Sequence, residues 1–143
     1  MSVMALDLGE KRTGLAVSDP ARRIAHPLKI VPTHEVLDKA PSFRRLLEDY
    51  AVERLVVGLP LSLDGTEHAQ ARRIQSQARQ LEQLYGLPVE FTDERLSSVE
   101  AKRVLRQLGY NEREMRGRTD KIAAGILLQT WLDATSSLPR ETV

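Results

Sequence analysis

A single carboxylate interrupts the apolar run Val3-Met4-Ala5-Leu6-Asp7-Leu8 close to the N-terminus. A run this short and this apolar reads as a strand buried on both faces. Such a strand belongs in a sheet with helices above and below it, which directs the chain toward the α/β class. Burying Asp7 with no partner would cost several kcal/mol. A buried cation, a ring of donors or a metal ion is therefore expected beside it.

The pattern that follows defines the sheet. Gly9-Glu10-Lys11-Arg12 reads as a turn, and Thr13–Val17 as a strand pairing back on the first. Ala25–Val31 is a third strand between Asp19-Pro20 and Pro32-Thr33. A helical stretch is expected from His34 to Tyr50, interrupted or restarted at Pro41. Arg54–Leu59 is a short buried strand, and Pro60–Gly65 a loop. Thr66–Tyr85 is a long polar helix with Ala71, Ile74, Ala78, Leu81 and Leu84 as its apolar stripe, stopped by Gly86-Leu87-Pro88. Val89–Thr92 is the fifth strand. Ser97 and Glu100 form a capping box for another helix, Gly109–Arg118 reads as a mobile loop, and Asp120–Leu132 is the final helix. The expected fold is a mixed five-stranded sheet, opening with antiparallel hairpins and continuing with βαβ crossovers, with helices on both faces. Residues 1–136 form one domain and 137–143 a flexible C-terminal tail, in keeping with a chain of 143 residues.

Composition removes several chemistries. The chain has no cysteine, so disulfides and thiolate metal sites are excluded. His26, His34 and His68 lack metal-ligand spacing and read as surface or loop residues. Aromatic residues are 4% of the chain, too few for an extended base-stacking platform. No basic segment followed by a long apolar stretch opens the chain, and no apolar run is long enough to span a membrane, so neither a signal peptide nor a membrane span is expected.

Two further acids stand where a site at the end of a sheet would need them. Glu94 follows the fifth strand directly, with Asp93 as its rival for the same place. Asp120 opens the last helix and shares a face with Ala123, Ala124, Leu127 and Trp131. Helix-cap chemistry would account for Asp120 alone, and a surface pair with Arg95 for Glu94. Three carboxylates aimed at one place repel one another, and hard divalent cations such as Mg²⁺ or Mn²⁺, which take oxygen ligands, resolve that repulsion. Two such ions suit phosphodiester cleavage.

These residues fall in four blocks. Ala5-Leu6-Asp7-Leu8-Gly9-Glu10-Lys11-Arg12-Thr13-Gly14-Leu15-Ala16-Val17-Ser18-Asp19 resembles the opening motif of the YqgF/RuvX family. These are bacterial proteins that carry the names pre-16S rRNA nuclease and Holliday junction resolvase. Val57-Gly58-Leu59-Pro60 with Gly65-Thr66 resembles the second motif, Asp93 to Ala101 the third, and Asp120-Lys121-Ile122-Ala123-Ala124 the fourth. The resemblance implies an RNase H-like fold, metal-dependent nuclease chemistry and a cytoplasmic setting. It also implies that Glu94, not Asp93, joins Asp7 and Asp120 as catalytic residues and ligands of a two-metal site.

Between Arg95 and Lys121 eight basic residues face four acidic ones, although the whole chain carries only +1. A positive rim around an acidic centre is suited to holding a phosphate backbone. Lys11, Arg12, Arg95, Arg116, Arg118 and Lys121 are the expected nucleic-acid contacts. The expected substrate is structured RNA, as in 5′ processing of pre-16S rRNA within a ribosome precursor. The alternative is branched DNA, cut as a Holliday junction by a two-fold dimer. Monomer and homodimer both remain open. Asp-Leu-Gly also begins the phosphate loop of actin- and hexokinase-like ATPases, but those need two such domains. A non-catalytic ribosome-associated factor is the remaining rival, and three intact acids argue against it.

Overall fold

The computed structural model describes residues 1–60, 68–93 and 119–136, together with Arg103, Arg106, Gln107, Gly109, Asn111 and Arg113. In chain order the elements are β1 (Ser2–Leu8), β2 (Arg12–Ser18), β3 (Ala25–Pro32), α1 (Thr33–Leu37) and α2 (Pro41–Asp49), then β4 (Val52–Leu59), α3 (His68–Tyr85), β5 (Val89–Asp93) and α4 (Thr119–Ser136). The strands form one sheet in the order β3-β2-β1-β4-β5. β1, β2 and β3 pair antiparallel, whereas β4 pairs parallel with both β1 and β5. This is the expected mixed sheet.

The expected helix over 34–50 divides in two. Pro41 is the first residue of α2, and Ala40 before it is extended at φ −59°, ψ 143°. α1 ends at Leu37, with Lys39 in the left-handed region at φ 58°, and the proline ring, which disfavours helical backbone at the preceding residue, keeps Ala40 extended before α2 restarts. The capping box Ser97/Glu100 and the tail 137–143 lie outside the described residues. Arg113 is helical, a local departure from the loop expected over 109–118. α4 runs past the expected Leu132 to Ser136.

The two faces of the sheet are separately filled. Met4, Leu6, Leu8, Leu15, Leu55 and Val57 pack toward α1–α3 with Val36, Phe43, Ile74 and Leu81. Val3, Ala5, Ala16 and Val56 pack toward α4 with Ala124, Leu128, Trp131 and Leu132. Successive side chains along a strand point to opposite faces, so β1 serves both cores at once. Small residues on the α4 side bring the helix in close: a Cβ on Gly125 would lie 3.1 Å from Cγ of Pro27. Pro27 and Pro32 sit on β3, an edge strand, where a missing N–H is tolerated.

Gln129 fixes where α4 lies along the sheet. Its Oε1 accepts the Ala25 N–H at 3.0 Å, and its Nε2 donates to the Arg23 carbonyl at 3.0 Å. The side chain thus occupies the hydrogen-bonding place of a neighbouring peptide at the β2–β3 turn. Gln129→Leu is expected to lower stability by about 1–2 kcal/mol, read as a lower denaturant midpoint at unchanged slope. An unchanged midpoint would show that water replaces the side chain. Within the same turn the N–H groups of Ile24 (3.0 Å) and Arg23 (2.7 Å) donate to Asp19, holding its carboxyl below the ordinary value. A lowered folded value means that this contribution is present at neutral pH and lost on acidification through that value.

Candidate active site at the carboxyl ends of the parallel strands

Asp7 is the penultimate residue of β1. Alternation from Val3 and Ala5 puts its side chain on the α4 face. It is half-buried, not fully buried as the apolar run suggests, because it lies where the strand reaches the rim of the sheet. Partial exposure lowers the cost of holding a charge there and leaves a route for ions and substrate.

Neighbouring strands set what surrounds it at this level of the sheet. Gly14 of β2 pairs with Asp7 on one side. On the other, Val57 of β4 pairs with Leu6, so Gly58 comes next beside Asp7, and Gly58 pairs with Thr92 of β5. Asp7 is therefore flanked on both strands by residues with no side chain. From the sequence alone Gly14 falls in the strand Thr13–Val17, just past the hairpin turn, and Gly58 in the strand Arg54–Leu59. Only strand register shows that both border Asp7.

α4 approaches from above that face. Gly125 lies against Pro27, which pairs with Ala16, itself the partner of Ala5. Gln129, four residues on, meets Ala25, two residues back along β3. The helix therefore runs opposite to β1, and its N-terminus points toward the Asp7 end. Five residues of helix rise about 7.5 Å, and two residues of strand about 6.6 Å. On that arithmetic the backbone of Asp120, in the first turn of α4, is level with Asp7 along the strand direction.

The other expected residues divide plainly. Lys11 and Arg12 are exposed and stand where the β1–β2 connection enters β2, three and four residues beyond the end of the Asp7 strand. That connection is closed by the Gly9 N–H donating to the Arg12 carbonyl at 2.9 Å. A Cβ on Gly9 would lie 2.5 Å from the same oxygen, so no other residue fits without moving the turn. Glu94, Arg95, Arg116 and Arg118 lie outside the described residues, as do the side chains of Asp120 and Lys121. Among the described residues no group of three acids or histidines forms a metal cage. His26 and His34 are exposed, as expected of surface histidines. Asp93 ends β5 in pairing with Leu59, directly before Glu94.

The Asp7 carboxylate is a donor that suits a hard divalent cation. Carboxylate oxygen is the ligand type that Mg²⁺ and Mn²⁺ take, and the residues on either side of Asp7, Gly14 and Gly58, bring no side chain of their own to compete for that place.

Comparison with known proteins identifies the relatives. The sequence model of the RuvX family, described as "Holliday junction resolvase", matches residues 1–134. The chain belongs to the RuvX family. A protein from Anaeromyxobacter sp. (strain Fw109-5), named "Putative pre-16S rRNA nuclease", is 44% identical over 133 residues, covering 93% of this chain and 97% of that one. One of the same name from Thermosynechococcus vestitus (strain NIES-2133 / IAM M-273 / BP-1) is 38% identical over 143 residues, covering 100% and 95%. Among solved structures, T. thermophilus RuvC in complex with a Holliday junction substrate superposes with TM-score 0.58 at 19% identity, covering 96% of each chain. The fowlpox virus Holliday junction resolvase does so with TM-score 0.54 at 14% identity, covering 94% and 99%. The RuvX chain thus has the RNase H-like fold, and at these identities the likeness is one of fold alone. Among the described residues no helix is long and apolar enough to cross a membrane.

Proposed function

We propose that this RuvX-family chain is a metal-dependent endonuclease that hydrolyses phosphodiester bonds in structured RNA. Its substrate on this reading is the 5′ end of the 16S rRNA precursor, in the cytoplasm. Membership of the family makes the chain a nuclease, hence a hydrolase. The observation that carries the reading is the place of Asp7: on the α4 face, at the carboxyl end of β1, bordered by Gly14 and Gly58. Ligands of parallel sheets gather beyond the carboxyl ends of the strands. The shared name of relatives 38–44% identical over nearly the whole chain favours the RNA substrate.

On this reading Asp7, Glu94 and Asp120 hold two Mg²⁺ or Mn²⁺ ions. Bound there, divalent ions lower the pKa of water and stabilise charge on the attacking and leaving oxygens. The protein's own part is to bring three carboxylates from separate elements to one point and hold them despite their repulsion. Lys11 and Arg12 hold the phosphate backbone from the β1–β2 turn, and Arg95, Arg116, Arg118 and Lys121 from the basic stretch. These contacts position the substrate without reading its sequence.

The second reading, cleavage of four-way DNA junctions, is favoured by the description of the family model. It requires a two-fold dimer to cut two strands symmetrically.

The test offers the purified protein a 16S precursor RNA, a single-stranded RNA and a four-way DNA junction, with oligomeric state measured in the same buffer. Precursor RNA is expected to be cut at a discrete 5′ position with Mg²⁺ or Mn²⁺. EDTA is expected to stop the reaction and added metal to restore it. Symmetric junction cleavage by a dimer, with the RNA untouched, would move the assignment to the second reading. Undiminished cleavage in EDTA would remove the metal site.

A further inference from the structure

The turn that carries Lys11 and Arg12 is held from outside its own hairpin. Thr33, the first residue of α1, is buried, and its Oγ1 donates to the Gly9 carbonyl at 2.8 Å. The same oxygen lies 2.8 Å from Oγ1 of Thr13, which is 0% exposed. A hydroxyl has one hydrogen. That of Thr33 goes to Gly9, so Thr13 is the donor in the hydroxyl pair. The series of bonds therefore runs in one direction, from Thr13 through Thr33 to Gly9. The Thr33 N–H adds a bond to the Lys11 carbonyl at 2.9 Å. One residue thus grips the turn at Gly9 and at Lys11, on either side of Glu10.

We propose that Thr33 is a positioning residue whose buried hydroxyl and backbone N–H set where the β1–β2 turn presents Lys11 and Arg12 to the phosphate backbone of the substrate. The inference rests on the nuclease reading above. A two-strand turn with exposed basic side chains would otherwise sample several orientations, and small displacements of positioning groups carry large losses in rate. The buried bonds at the junction of β3 and α1 tie the turn to the rigid sheet. Thr33 itself is buried and touches no substrate on this proposal.

The direction of these bonds predicts unequal effects from two similar mutations. Thr33→Val removes the donor to Gly9 and leaves the buried Thr13 hydroxyl and the half-buried Gly9 carbonyl without their partner. Thr13→Val removes only the donor to Thr33, and the Thr33–Gly9 bond survives. Thr33→Ser keeps the hydroxyl.

The experiment measures binding of a fluorescein-labelled stem-loop RNA and a labelled four-way DNA junction in EDTA, over a series of salt concentrations, with circular dichroism showing each variant folded. Freeing two phosphates of a duplex from the protein should flatten the salt slope by about 1.8. Thr33→Val is expected to show that flattening and to bind about tenfold more weakly at low salt. Lys11→Ala/Arg12→Ala is expected to match it, and adding Thr33→Val to that double variant to change nothing further. Thr33→Ser and Thr13→Val are expected to keep nearly the wild-type slope. A lowered melting temperature for Thr33→Val with an unchanged slope would overturn the proposal and leave Thr33 a stability residue only. A further loss on top of the double variant would overturn it too. Failure of the wild type to bind either probe would overturn the nuclease reading and this inference together.

Discussion

Asp7→Asn is expected to lower cleavage by about 10³-fold or more, because on the proposed reading it removes one ligand of ions that supply several kcal/mol of transition-state stabilisation. The same change is expected to leave the melting temperature equal or higher in EDTA. Asparagine nearly matches aspartate in shape, and neutralising one carboxylate relieves repulsion from Glu94 and Asp120 if they converge on it. The position argues against a fold defect: Asp7 is half-buried at the rim, with Gly14 on its paired strand. Rate and melting temperature should be measured on one preparation. Wild-type cleavage by the folded variant would remove Asp7 from the site.

Phe43→Ala is expected to do the opposite. Phe43 is 1% exposed in the core on the far face of the sheet, and its ring meets Tyr85 edge-on at 5.4 Å and 63°. Tyr85 in turn donates its hydroxyl to the Val36 carbonyl, and burial pushes its phenol up to about 12. Phe43 therefore joins α2 to α3 and, through Tyr85, to α1. Its truncation is expected to cost about 3–5 kcal/mol through lost transfer energy and the cavity left behind. For a domain of this size that is a drop in melting temperature of roughly 10–17 °C. Below the new midpoint the cleavage rate is expected to be that of the wild type, because the site lies on the other face. A loss of rate equal to that of Asp7→Asn, with the protein folded, would show that the two faces are coupled.

The elements of this fold were largely legible along the chain. Alternation and β-branched residues mark the strands, and the helix break at Pro41 is local backbone chemistry. The expected strands 3–8, 13–17, 25–31, 54–59 and 89–92 each appear, longer by one or two residues where pairing extends them. The final helix outruns its expected end for the same reason: Trp131 and Leu132 pack on the sheet, and Thr130 and Thr135 donate back to carbonyls of the preceding turn. Asp7 was visible as an anomaly from its apolar neighbours. Its half-exposure was not, since that depends on where the strand ends relative to the rim.

What the sequence by itself determined is therefore the kind of chain: strands and helices in order, no thiol chemistry, a carboxylate inside an apolar strand, and four motifs shared with the RuvX family. What only the tertiary structure decided is adjacency. Gly14 and Gly58 are 44 positions apart in the sequence, yet strand register sets them on either side of Asp7. Thr13 and Thr33 are 20 apart and share a buried hydrogen bond. Neither pairing has a local signature, because a strand's own pattern specifies which face a side chain takes but not which strand lies beside it. The order β3-β2-β1-β4-β5 settles that, and with it which residues share the ground around Asp7.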